Sequence, residues 1–170
     1  MHGDVRMADR VFNVLFLCTG NSARSIIAEG LLNFEGKGRF RAYSAGSFPT
    51  GKVNPLALEA LERAGIPGGS YRSKSWDEFA KAEAPTMDFV FTVCDDAAGE
   101  VCPVWPGHPV TAHWGVSDPA KFNGSDAEKK RQFAETLRIL ANRIRVFVAL
   151  SFDKLDRLSL KKHVDDIGQT

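Results

Sequence analysis

VFNVLFLCTGNSARS (residues 11–25) is the stretch on which the fold turns. Its first part, residues 11–18, is a nearly unbroken run of Val, Phe and Leu, the composition of a strand covered on both faces. The run stops at Cys18, and Thr19, Gly20 and Asn21 bring turn chemistry at once. From residue 22 the period changes: Ile26, Ile27, Leu31 and Phe34 recur at helical spacing. A strand, a tight loop and a helix in that order make the first half of a β-α-β unit, and sheets built from such units are parallel.

Outward from this stretch the alternation continues. Residues 39–45 read as a second strand. Asn54 and Pro55 form a cap and first-turn pair that opens a helix carrying Leu58 and Leu61, and Gly65 ends it. Ser75 caps a short helix expected over residues 76–82. DFVFTVC (residues 88–94) is a third buried-type strand, a Gly- and Pro-rich stretch occupies 97–109, and residues 110–116 form a fourth strand. From Ser125 a long helix follows, with Phe133, Leu137, Leu140, Ile144, Phe147 and Val148 as its apolar stripe, and residues 152–167 form a last amphipathic helix. The expected architecture is α/β: one domain with a four-stranded, mainly parallel sheet, helices on both faces, and an extra C-terminal helix. Residues 1–10 read as a flexible tail, 11–150 as the domain, and 151–170 as an extension that docks on the surface or contacts a partner.

The bulk numbers agree with one globular domain: 170 residues, 44% hydrophobic and 25% charged. A formal net charge of +1 speaks against nucleic acid or a membrane surface as partner. No apolar run approaches the roughly 18 residues of a membrane span, and the run before Cys18 is short for a secretory leader, so a cytoplasmic location is expected. The cysteines number three, Cys18, Cys94 and Cys102, and an odd count in a reducing compartment argues against a structural disulfide framework. The four histidines have no zinc-ligand spacing to a cysteine pair.

Position decides what the cysteines do. In a parallel sheet, ligands bind beyond the carboxyl ends of the strands, where strand order reverses. Cys18 closes the first strand, Cys94 closes the third, and Asp118 lies just past the fourth, so all three fall on one rim. The loop of Thr19, Gly20, Asn21, Ser22, Ala23 and Arg24 leads into a helix N-terminus, where backbone N–H groups hold an anion. Arg24 offers a planar fork to two oxyanion oxygens. Cys18 is expected to be a thiolate, its pKa lowered from about 8.5 to roughly 3.5–7.5 by such surroundings, with Ser25 donating a hydrogen bond to it. The Gly-Lys-Ser/Thr ending of a nucleotide loop is missing. The plain alternatives are a core thiol for Cys18, a turn for Asp118, a strand residue for Cys94 and a packing residue for Cys102. Arg24 and Ser25 at this spacing favour the catalytic reading.

C-x5-R-S after a first strand resembles the low-molecular-weight protein tyrosine phosphatase family. Within it, CTGNSAR and the HWG..DPA segment (residues 113–120) are similar to the thioredoxin-coupled arsenate reductases, a resemblance spanning residues 11–150. It implies Cys18 as nucleophile, with Arg24, Ser25 and the loop amides stabilising developing charge, and Asp118 as general acid. It also implies that Cys94 attacks the arsenic adduct on Cys18 and Cys102 then attacks Cys94, passing a disulfide outward. No resident cofactor is implied beyond an external thiol donor of thioredoxin or glutaredoxin type. Some relatives bind a monovalent cation, for which Asn21, Glu29 and Ser44 occupy matching positions. His113 and Trp114 are expected to pack near Asp118. Ala23 stands where some reductases carry a further Cys, and Ala120 stands where phosphatases place an aromatic, which speaks mildly against phosphotyrosine. The alternatives are a phosphatase whose Cys94 and Cys102 protect Cys18 from oxidation, and a non-enzymatic oxyanion-binding module. The protein is expected to be a monomer or a weak dimer.

Overall fold

The computed structural model describes residues 10–66, 69–94 and 105–170. The strands are β1 (Phe12–Cys18), β2 (Phe40–Gly46), β3 (Phe89–Thr92) and β4 (Val110–His113). The helices are α1 (Arg24–Glu35), α2 (Pro55–Arg63), the single turn α3 (Asp77–Ala80), α4 (Asp126–Val148) and α5 (Arg157–Ile167), with a 3-10 turn at Pro119–Lys121. All strand pairs are parallel and the order is β2-β1-β3-β4. Strand order therefore reverses between β1 and β3.

Burial follows the pleat. Val14 and Phe16 of β1 join Phe89 and Phe91 of β3 in one core, closed by Leu31 of α1, Leu61 of α2, Leu140 and Phe147 of α4 and Leu160 of α5. Leu15 and Leu17 point the other way, to Val90, Met87, Trp105 and Phe79 of α3. The sheet is covered on both faces, as its continuous apolar strands require, but unequally. Only the short α3 and its flanking aromatics lie on the second face, among the described residues.

Local signals worked as chemistry dictates. Asn54 caps α2 by accepting from Leu56 N at 2.9 Å, and Gly65 takes the left-handed φ of +79° beyond its end. Ser125 and Glu128 form a capping box at the start of α4. Four boundaries differ from expectation. α1 begins at Arg24 rather than residue 22, because residues 22 and 23 belong to the loop. β3 and β4 stop at Thr92 and His113, two and three residues short of the expected ends, where the chain leaves the sheet to build the rim. The last helix begins at Arg157, capped by Asp156, rather than at residue 152. The N-terminal tail up to residue 9, most of the Gly- and Pro-rich stretch, and Cys102 lie outside the described residues.

Candidate active site

The loop after β1 is shaped by where its carbonyls go. Thr19 O accepts from Phe48 N at 2.9 Å, Gly20 O from Thr50 N at 3.0 Å, and Ser22 O from Asn54 N at 2.9 Å. Ser73 Oγ adds a second bond to Gly20 O at 3.1 Å. A trans peptide aims its N–H opposite its C=O, so carbonyls pinned outward turn the N–H groups of Gly20 and Ala23 to the concave side. The Gly20 N–H hydrogen-bonds the Cys18 sulfur. Asn21 makes the turn with φ of +46°, which Asn tolerates better than most residues. Ala23 is the N-cap of α1 and has no polar atom to offer, so the helix's first amides are left to an anion rather than to a side chain.

Close packing holds this loop from below. A Cβ on Gly46 would sit 2.4 Å from Thr19 O and 2.8 Å from Cys18 O. Glycine at the end of β2 is what lets the loop backbone lie on the sheet.

Arg24 leaves the first turn of α1 and is held by two partners. Its Nη1 donates to Val116 O at 3.1 Å, and its Nη2 pairs with Asp118 Oδ2 at 3.5 Å. Asp118 keeps its other oxygen, Oδ1, on Ala120 N at 2.9 Å, capping the turn that its own Pro119 begins. The residues after β4 thus bring a carboxylate and a carbonyl onto the guanidinium of the loop. Ser25 is fully buried and its Oγ accepts from Asn21 Nδ2 at 2.8 Å, which leaves the hydroxyl hydrogen for another acceptor. Trp114 is buried and stacks on Phe91 with centroids 4.1 Å apart, and His113 Nδ1 lies 2.7 Å from Thr92 Oγ1. Both support the rim from beneath.

Cys18 and Cys94 are buried thiols side by side at the reversal point, since Val93 N bonds Leu17 O at 2.9 Å across β1 and β3. The hydrogen bond between the two sulfurs pushes the Cys18 thiol well above the ordinary thiol range, and burial adds to it. Arg24 and the Gly20 N–H pull it down, but they are outweighed. The sequence led us to expect a lowered pKa; the neighbouring sulfur reverses the direction. Thr19, expected to give its N–H to the oxyanion, gives it to Cys94 Sγ at 3.3 Å, with Thr19 Oγ1 3.6 Å from the same sulfur. Cys94 thus shares the loop's first donor.

Asn21, Glu29 and Ser44 also converge, with an ammonium near them. Lys74 Nζ lies 3.4 Å from Asn21 Oδ1 and 3.5 Å from Ser44 Oγ, and Ser44 Oγ donates to Glu29 Oε1 at 2.5 Å. Burial raises the Glu29 carboxyl and lowers the Lys74 amine, and each draws the other back towards its charged form. Among the described residues no cluster of His, Cys, Asp and Glu could hold a metal ion. No helix of the described residues is long and apolar enough to cross a membrane.

Sequence reasoning missed Lys74, Gly46 and Ser73. Of these only Gly46 carried a signal, a glycine at the end of a strand, which marks close backbone approach.

The site thus joins a thiol at the reversal point of a parallel sheet, a loop of backbone amides and a guanidinium. Residues 13–163 match the family described as low molecular weight phosphotyrosine protein phosphatase, and the chain belongs to that family. It is 39% identical over 134 residues to an arsenate reductase of Halalkalibacterium halodurans, covering 79% of this chain and 93% of that protein. Among solved structures it resembles the arsenate reductase from Archaeoglobus fulgidus, with a TM-score of 0.61 and 28% identity, over 81% of this chain and 99% of that one. It also resembles a thioredoxin-dependent arsenate reductase of Corynebacterium glutamicum, with a TM-score of 0.55 and 29% identity, over 80% of this chain and 62% of that one.

Proposed function

We propose that this protein reduces arsenate to arsenite with Cys18 as nucleophile and electrons drawn through Cys94 and Cys102. The observation that carries the reading is the second thiol: Cys94 lies within hydrogen-bonding reach of Cys18 in the same buried site. Ester hydrolysis needs one cysteine; a two-electron reduction needs a pair. Names borne by relatives, arsenate reductase and thioredoxin-dependent arsenate reductase, point the same way.

The chemistry runs as follows. The oxyanion seats on the loop amides and the Arg24 fork, and Cys18 sulfur attacks arsenic, expelling one oxygen as water. Asp118, beside Arg24, supplies a proton to that leaving oxygen. Cys94 then attacks the Cys18 sulfur. The sulfur–arsenic bond breaks, its electron pair stays on arsenic, and arsenite leaves while a Cys18–Cys94 disulfide forms. Cys102 attacks Cys94, freeing Cys18 and leaving a Cys94–Cys102 disulfide, which an external dithiol of thioredoxin or glutaredoxin type reduces. No resident metal or organic cofactor enters these steps, and we place the enzyme in the cytoplasm, where such carriers are kept reduced.

The test is NADPH consumption coupled through thioredoxin reductase and thioredoxin with arsenate as substrate. Cys94→Ser is expected to abolish multiple-turnover reduction while an aryl phosphate is still hydrolysed. Reduction at the wild-type rate by Cys94→Ser would refute the relay. The contact of Asp118 with Arg24 favours a second activity, slow hydrolysis of phosphate esters, which Asp118→Ala should depress by about 10²–10⁴-fold, the usual worth of a general acid.

A further inference from the structure

Lys74 belongs to none of the motifs above, yet it is fastened to the oxyanion loop at both ends. Its backbone continues the edge of β2: Gly46 N donates to Lys74 O at 2.9 Å and Trp76 N donates to Gly46 O at 2.9 Å. Its side chain turns back beneath the loop and is half-buried, with Nζ donating to Arg72 O at 2.8 Å. Asn21 Oδ1 receives the Lys74 N–H at 2.8 Å and lies 3.4 Å from Lys74 Nζ. One residue thus directs two donors at the same amide oxygen.

An amide has a donor end and an acceptor end. With two donors of Lys74 at its oxygen, the Asn21 NH2 must face Ser25, and it does, at 2.8 Å. The flipped amide would set NH2 against an N–H and an ammonium. Asn21 and Ser25 are both fully buried, so a wrong orientation would leave polar groups without water to correct it. The orientation of Asn21 therefore passes to Ser25, whose oxygen is occupied as acceptor and whose hydrogen is directed elsewhere. The ammonium also lies 3.5 Å from Ser44 Oγ, whose hydrogen is on Glu29, so it balances the carboxylate end of the same chain of bonds.

We propose that Lys74 is a positioning residue for the oxyanion loop, an internal ammonium that fixes the Asn21 amide and through it the left-handed turn and the hydrogen-bond role of Ser25. The inference rests on reading residues 18–25 as an oxyanion loop. Because the cation is covalently part of the chain, the loop needs no external monovalent ion to be ordered.

The test is protection of Cys18 from iodoacetamide by inorganic phosphate, titrated in sodium, potassium and ammonium chloride at equal ionic strength. Wild-type protein should be protected equally in all three salts. Lys74→Met and Lys74→Gln, which keep the backbone N–H, should need about tenfold more phosphate in sodium chloride, the loss expected for one charged hydrogen bond. Ammonium should restore much of that affinity, and far-UV circular dichroism should match wild type. Wild-type phosphate affinity in both variants, a loss that ammonium does not recover, or a wild-type affinity that rises in potassium or ammonium would each overturn the proposal. If one variant does not fold, the other and the wild-type salt comparison decide. Failure of the oxyanion reading would look different: phosphate would not protect wild-type Cys18 in any salt.

Discussion

Cys18 sits between opposing influences, and the balance is testable one residue at a time. Its hydrogen bond with Cys94 and its burial raise its pKa, while Arg24 and the Gly20 N–H lower it. Cys94→Ala removes the largest raising cause. The Cys18 pKa should then fall, the thiolate fraction at neutral pH should rise, and alkylation by iodoacetamide should become faster, with its pH profile shifted to lower pH. An unchanged profile would show that the two sulfurs are not coupled. Arg24→Lys tests the other side. Lysine keeps the charge but cannot bridge two oxyanion oxygens while also reaching Val116 O and Asp118. Its kcat/KM with arsenate and with an aryl phosphate should drop by about 10²–10³, the usual cost of losing one preorganised donor. Cys18, Arg24 and Ser25 could be singled out because they follow one another in one short motif, and Asp118 because it lies just past the fourth strand within the resembling segment 113–120. Lys74 was not, because what gives it a role is its proximity to Asn21, some fifty positions away in the chain, and a lysine in a polar segment carries no pattern of its own. The direction of the Cys18 shift was equally hidden, since it depends on how near a second sulfur lies.

Elements were legible where periodicity or caps mark them, and blurred where the chain leaves the sheet. β1 follows from its apolar run, α2 from Asn54 and Pro55, and α4 from the apolar stripe that begins after Ser125. The ends of β3 and β4 did not, because apolar residues such as Val93, Trp114 and Val116 continue past the last paired residue to pack beneath the rim. Strand order was left open by the sequence, although the exposed alternate positions Arg41 of β2 and Thr111 of β4 mark these two as the edge strands. Two substitutions probe this scale. Gly46→Ala forces a methyl group against Thr19 O and Cys18 O. It should destabilise the fold by roughly 1–3 kcal/mol, as overpacking does, and phosphate should protect Cys18 less well than its stability loss alone implies. Ser125→Ala removes the cap that accepts from Glu128 N at 3.2 Å. It should cost about 1 kcal/mol and lower Tm by roughly 2–4 °C, with kcat unchanged. The contrast separates a glycine that shapes the site from a cap that only holds a helix.

Across the whole molecule, the question is whether residues 151–170 are an appendage, as their polar composition suggested, or part of the core. Phe152 is 2% exposed and its ring lies 4.8 Å from Phe12, 5.4 Å from Phe147 and 5.6 Å from Phe40. Leu160, Val164 and Ile167 of α5 belong to the same apolar cluster as β1 and β3. Trp114 Nε1 donates to Val164 O at 2.9 Å, and buried Arg143 of α4 ties Trp114 O at 2.9 Å and Gly115 O at 3.1 Å to Thr170 O at 3.0 Å. A Cβ on Gly168 would meet His113 O at 2.2 Å. The last helix therefore braces the end of β4, from which residues 115–118 carry Val116 and Asp118 to Arg24. A sequence window sees only an amphipathic helix with a polar face; it does not see that the apolar face lands on the edge strand. Phe152→Ala should cost about 3–5 kcal/mol, the range for emptying a buried aromatic site, and lower Tm on the order of 10 °C. The discriminating readout is the shape of the transition. If residues 151–170 share one core with the sheet, near-UV signals from Trp114 and far-UV helix signals will unfold together in wild type and variant alike. Loss of α5 in a separate early step, with the remaining helix signal and Trp114 unaffected, would show that the extension is only docked, and would remove the brace from the account of how Asp118 is held.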